Sequence, residues 1–106
     1  MPRRYHSGMD GMAWASSAMA AAQTRLDIAA ENLSNLSSAG YRRREAFGSL
    51  SATGASVVAR ASGSRVDAVS EMIAVLGAQR AFEGAGKVAS AIDQARQHAA
   101  EAARVR

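Results

Sequence analysis

The chain contains no cysteine and a single proline, Pro2. Without thiols there is no disulfide framework, no zinc knuckle and no cysteine nucleophile. Aromatics are confined to Tyr5, Trp14, Tyr41, Phe47 and Phe82, too few to fill a large globular core. No run of about 18 apolar residues exists, so no transmembrane helix is expected. Lys87 is the only lysine, and arginine carries nearly all of the formal +4 charge. A lone lysine and dispersed arginines leave one basic cluster, Arg42, Arg43 and Arg44.

Catalytic and metal-binding patterns are also missing. His6 and His98 are far apart and neither has a second ligand at metal spacing. Asp27 with Glu31, and Asp67 with Glu71, are i, i+4 carboxylate pairs that read as helix surface or dipole partners. There is no phosphate-binding loop, nucleophile elbow or HExxH. The expectation is a protein that is not an enzyme and takes no cofactor or metal. Arg3 and Arg4 precede a mild apolar stretch, Met12 to Ala22. It lacks leucine clusters and Asp10 stands near its start, a poor match to a cleaved secretory signal.

What is abundant is alanine, the best helix former. With 106 residues there is room for one domain. It divides into a polar segment over 1–8, a helical pattern over 9–39, a Gly/Ser/Ala-rich middle over 40–64 and a second helical pattern over 65–106. The spacing predicts a mainly α protein whose two long helices pair as an antiparallel coiled-coil hairpin.

The first helix carries an unbroken heptad. With Met12 at a, the a and d positions are Met12, Ala15, Met19, Ala22, Leu26, Ala29, Leu33 and Leu36, all apolar. Trp14, Ala21 and Ile28 share position c, with Ala18 beside them, and form a second line that packs either on the middle segment or on another subunit. Ser7 or Asp10 suits the N-cap and Gly40 the C-terminal end. In the second helix Ser64 suits the N-cap. Val66, Val69, Ile73 and Leu76 form an early apolar line. Ala78, Ala81, Ala85, Val88, Ile92, Ala95, Ala99 and Ala102 form a later one in another phase, which predicts a slip near Gly77. Gly84 and Gly86 each cost about 1 kcal/mol against alanine and suit close approach of another backbone. Between the helices, Arg44–Leu50 and Ser56–Arg60 are short strand-like runs, compatible with a small β-hairpin or with a disordered linker.

An alanine-rich helical pair is thermodynamically marginal by itself. Ordering backbone costs on the order of 1 kcal/mol per residue. Met12, Met19, Leu26, Leu33 and Leu36 return at most roughly 1.5–3 kcal/mol each when buried. The large apolar positions, with Val69, Ile73, Leu76, Val88 and Ile92, are therefore expected to form an assembly seam with copies or relatives.

Two motifs add to this. Ala22-Gln23-Thr24-Arg25-Leu26-Asp27-Ile28-Ala29-Ala30-Glu31-Asn32-Leu33-Ser34-Asn35, leading to Gly40-Tyr41-Arg42-Arg43, resembles the N-terminal signature of the flagellar axial proteins. Val66 to Ile73, continuing through Gln79-Arg80-Ala81-Phe82-Glu83 to Lys87-Val88, resembles their C-terminal signature. Ser38-Ala39 stand where the family usually has Thr-Pro. The short middle is most similar to the proximal rod subunits. The resemblance implies a structural subunit of the flagellar basal-body rod. Its partners would be itself, other rod subunits and the flagellar type III export apparatus, with export lacking a cleaved signal. It singles out Asn32, Asn35, Gly40, Tyr41, Glu71, Met72, Gln79, Arg80, Phe82, Glu83 and Lys87. Asn32 and Asn35 would bond backbone at the helix end. Gln79, Arg80 and Glu83 would either fix register in the seam or lie solvated on the surface. The alternatives are a basic helical hairpin binding nucleic acid through Arg42 to Arg44 and Arg60, or a secretion-apparatus component outside the flagellum.

Overall fold

A computed structural model describes residues 11–51, 54–62 and 65–105. Two helices, α1 (Gly11–Ser34) and α2 (Ala68–Val105), flank an antiparallel hairpin, β1 (Arg44–Ser51) and β2 (Gly54–Ala61). The fold is mainly helical with one small sheet, so the middle segment takes the hairpin alternative.

The helices run antiparallel. Gly11 lies against Ile92 at one end, and Asn32 bonds Glu71 at the other. α1 turns its small heptad positions inward: Ala15, Ala22 and Ala29 are buried, while Met12, Met19, Leu26 and Leu33 are half-buried and Leu36 is exposed. Close helix contact follows from these small side chains, as alanine lets backbones approach.

α1 is shorter than the heptad predicts. It ends at Ser34, because Asn35 and the serines that follow offer the backbone competing side-chain bonds. Asn35 Nδ2 donates back to Glu31 O at 2.9 Å, and Ser38 Oγ donates to Asn35 Oδ1 at 3.1 Å. Successive turns carry the chain to Gly40, whose φ of 78° lies in the left-handed region. Gly40 thus closes the turns rather than the helix itself.

α2 starts at Ala68, later than the sequence pattern suggests. Ser64, like Ser7, Asp10 and His6, lies outside the described residues. Asp67 caps the helix instead. Ser70 Oγ donates to its carboxylate at 2.6 Å, and the first helical bond runs from Glu71 N to Asp67 O. The Ser70 bonds hold the Asp67 carboxyl below its usual range, against a smaller desolvation effect.

The inward line of α2 is one continuous 3-4 alternation: Ala68, Glu71, Val75, Ala78, Phe82, Ala85, Ala89 and Ile92. Glu71 and Ala78 are buried and Phe82, the most exposed of them, is 38% accessible. The expected phase slip near Gly77 is absent. The early apolar line of Val69, Ile73 and Leu76 faces out, while the buried Glu71 stands in the phase that faces α1.

The hairpin lies across α1 rather than α2. Gly54, at φ 138°, sits so close to Ser17 that any Cβ there would collide with its side chain. Ala55 N–H donates to Ser17 Oγ at 3.0 Å. The line of Ile28, Ala21 and Ala18 faces the underside of the hairpin, where Ile28 is buried. The hairpin face packs over that part of the second apolar line, while Trp14 is half-buried near the α1 start.

Candidate functional site

The motif residues of the two helices meet at one polar junction. Asn32, on the last turn of α1, has no exposed surface, and Glu71, on the first turn of α2, is 1% exposed. A carboxamide has two donors and two acceptor lone pairs, and buried ones need partners. Here all four are used. Asn32 Nδ2 donates to Arg44 O at 2.9 Å and to Glu71 Oε1 at 3.0 Å. Asn32 Oδ1 accepts from Arg44 N at 3.0 Å and from Tyr41 Oη at 2.8 Å. One side chain therefore ties α1, the β1 start, the preceding turn and α2.

Glu71 is compensated on its other oxygen, where Arg43 Nε donates to Oε2 at 2.5 Å. Arg43 also reaches Glu45 at 3.0 Å. The hydrogen bond that Arg43 donates to Glu71 holds its guanidinium above its ordinary value, against partial desolvation. Tyr41 is likewise raised, first by burial, which disfavours a phenolate, and then by the nearby Glu31, with Arg44 opposing. Arg44 pairs with Glu31 at 2.9 Å, but both side chains are 46% exposed and the pair adds little. Among the described residues no buried side-chain nitrogen or oxygen is left unpartnered.

This use of Arg43 and Arg44 spends two members of the basic cluster on internal acids. Arg60 lies over the Phe47 ring, 4.7 Å from its centroid. The charge proposed for nucleic acid is thus largely engaged within the fold.

The other singled-out residues are spread over surfaces. Asn35 and Gly40 shape the turns after α1. Gln79, Arg80, Glu83 and Lys87 are exposed on α2, so the solvated reading fits Gln79, Arg80 and Glu83. Val69, Met72, Ile73 and Leu76 form an apolar ridge on the outer side of α2, exposed by 63%, 56%, 64% and 61%. Val88 is exposed elsewhere on α2, and Ile92 is half-buried against Gly11.

Reasoning from motifs found Asn32, Tyr41 and Glu71 but missed Arg43 and Arg44 as their partners. Glu71, read from sequence as a helix-surface or dipole partner, is instead buried and takes Arg43 as its cation, while Arg44 bonds Asn32 through its backbone. A groove also went unseen. It runs between β1 and α2 over α1, with two lobes of about 520 and 590 Å³ that share Arg25 and Ala81. Among the described residues no group of histidines and acids has metal-site geometry, and no helix is long and apolar enough to cross a membrane.

Comparison with known families bears on these surfaces. The family profile described as flagella basal body rod protein matches residues 12–42, which hold α1 apart from Gly11, together with Asn32 and Tyr41. The profile described as flagellar basal body rod FlgEFG protein C-terminal matches residues 59–102, which hold Glu71 and most of α2. The chain belongs to the flagellar basal body rod family. No curated protein matches it. The rod family is a structural component, so membership implies a place in the basal body and assembly with other rod or hook subunits. The polar junction lies where the two matched segments touch, joining the last turn of α1 to the first turn of α2.

Proposed function

We propose that this rod-family chain is a structural subunit that polymerises through its terminal helices. In this reading α1 and α2 form a coiled-coil unit, stack with copies or relatives, and reach the rod through the flagellar type III export apparatus. The short middle favours a proximal rod position. One observation carries the reading: the largest apolar surface of α2, Val69, Met72, Ile73 and Leu76, points away from α1. A single chain leaves it in water, where a contiguous apolar ridge marks an interaction surface.

Because Ile73 touches solvent and not the core, Ile73→Asp is expected to leave helicity and melting temperature within a few degrees of the parent. The same variant should fail to enter basal bodies and should abolish swimming in a strain lacking the native gene. Parental swimming and rod content in that strain would refute a seam on this face. Immunogold labelling of purified basal bodies tests the location directly, since a subunit outside the basal body leaves them unlabelled.

A further inference from the structure

We propose that the free edge of β1 is a docking strand, to which an extended segment of a neighbouring rod subunit adds across the groove. The inference rests on the rod reading and specifies one contact within it.

The direction of every backbone group in the hairpin follows from its register. Ser62 N–H donates to Arg43 O at 2.7 Å. In an antiparallel ladder, bonded and non-bonded pairs alternate. Glu45 with Arg60, Phe47 with Val58 and Ser49 with Ser56 therefore face each other through backbone bonds. Arg44, Ala46, Gly48 and Leu50 turn their N–H and C=O groups the other way, out of the sheet. Ala55 shows the same on β2, where its outward N–H reaches Ser17.

At Arg44 the outward groups already have a strand-like partner. The Asn32 carboxamide, with one donor and one acceptor side by side, takes both of them. It reproduces what one peptide unit of an added strand would do. Beyond it the pattern stops: among the described residues, nothing bonds the outward groups of Ala46, Gly48 or Leu50. Three donor–acceptor sets remain at intervals of roughly 6.6–6.8 Å, which only an extended chain can match.

The surroundings fit such a chain. The edge from Ala46 to Leu50 carries no proline or charge, the devices that usually blunt an exposed edge. Leu50 is 77% exposed. Ala74, Gly77 and Ala81 of α2 line the facing side of the groove and leave room for small side chains. The Arg25 guanidinium lies against Gly48 and makes no ion pair among the described residues. It favours carbonyl or carboxylate oxygen and disfavours an incoming lysine or arginine. The occupant is therefore an extended segment of about five residues, small or acidic in its side chains. Backbone bonds would supply affinity, as in other strand additions.

Hydrogen exchange read by mass spectrometry on residues 44–51 tests this in the purified chain and in isolated basal bodies. The Ala46, Gly48 and Leu50 amides are expected to exchange fast in the free chain and at least about tenfold slower in the rod. Leu50→Pro removes an outward N–H and no ladder bond, so it should fold normally yet lose incorporation. Ala61→Pro makes the same change on the opposite edge and should incorporate like the parent. If the parent is in basal bodies but its 46, 48 and 50 amides exchange as in solution, the edge inference fails by itself. If the parent is absent from basal bodies, the rod reading fails and takes this inference with it.

Discussion

At the scale of the residue, the junction depends on a single carboxamide with no spare bonding capacity. Asn32→Ala would strand the Arg44 backbone groups and one Glu71 oxygen in a dry site. Each unmet partner costs about 1–3 kcal/mol, so a loss of at least ~3 kcal/mol in urea unfolding is expected. Asn32→Asp is nearly isosteric but replaces two donors with an acceptor beside a second carboxylate, and it should cost no less. If either variant unfolds at the parental midpoint, the junction is not a stability determinant. Tyr41 adds a pH signature. Its folded value lies above the ordinary 10.0, with desolvation the main cause. Stability from this group is thus fully present below pH 10 and lost as pH rises through the raised folded value. Tyr41→Phe should weaken the fold near neutrality and remove that alkaline step, which melting curves at a series of pH values can resolve. The motif drew attention to Asn32 and Tyr41 in the sequence, but to Asn32 as a helix-end residue and to Tyr41 as a side chain that pins the turn by packing. The partnership of Asn32 with Arg44, twelve positions along, and with Tyr41 was not legible because the turns from Asn35 to Gly40 decide where the strand returns.

At the scale of the element, the heptad in α1 was legible and that in α2 only in part. Alanine at Ala15, Ala22 and Ala29 faces inward with alternating larger neighbours, so period and burial agree there. In α2 both the Val69-Ile73-Leu76 line and the Glu71-Val75-Ala78 line obey 3-4 spacing. The first looks better by hydrophobicity, yet the second is inside because Glu71 finds Asn32 and Arg43. Sequence periodicity cannot rank a solvated-looking glutamate above a valine when its partners come from elsewhere in the chain. The α2 glycines sharpen the contrast. A Cβ placed on Gly77, Gly84 or Gly86 would meet nothing within 4 Å. No contact among the described residues therefore requires them, although each weakens the helix by about 1 kcal/mol relative to alanine. Replacing all three with alanine should raise the melting temperature of the isolated chain. If assembly needs a neighbouring backbone close to α2, the same variant should enter basal bodies poorly. A triple variant both stabilised and fully incorporated would show that these glycines serve no contact.

At the scale of the whole molecule, shape and core size point the same way. The Cα radius of gyration is 18.7 Å and the extents are 67 × 28 × 13 Å. A compact chain of this length would have a radius near 13 Å. Only Ala15, Ala22, Ile28, Ala29 and Ala78 are buried apolar residues among those described, so four of the five bring no more than a methyl group. Burial on this scale offsets little of the conformational entropy that two long helices lose. Fully satisfied polar groups at Asn32 and Glu71 specify how the pieces meet, but they replace bonds to water and add modestly to net stability. On the proposed reading, the further stabilisation comes from the faces left open, the α2 ridge and the β1 edge. Species that bind the folded chain shift its unfolding equilibrium by mass action. The isolated protein is therefore expected to unfold broadly at low temperature in dilute solution, with a melting temperature that climbs as its concentration rises. Ile73→Asp should flatten that dependence by removing the ridge contact. A sharp, concentration-independent transition in the parent, with a monomer mass by sedimentation throughout, would mean that the thin alanine core suffices and that the open faces are not needed for stability.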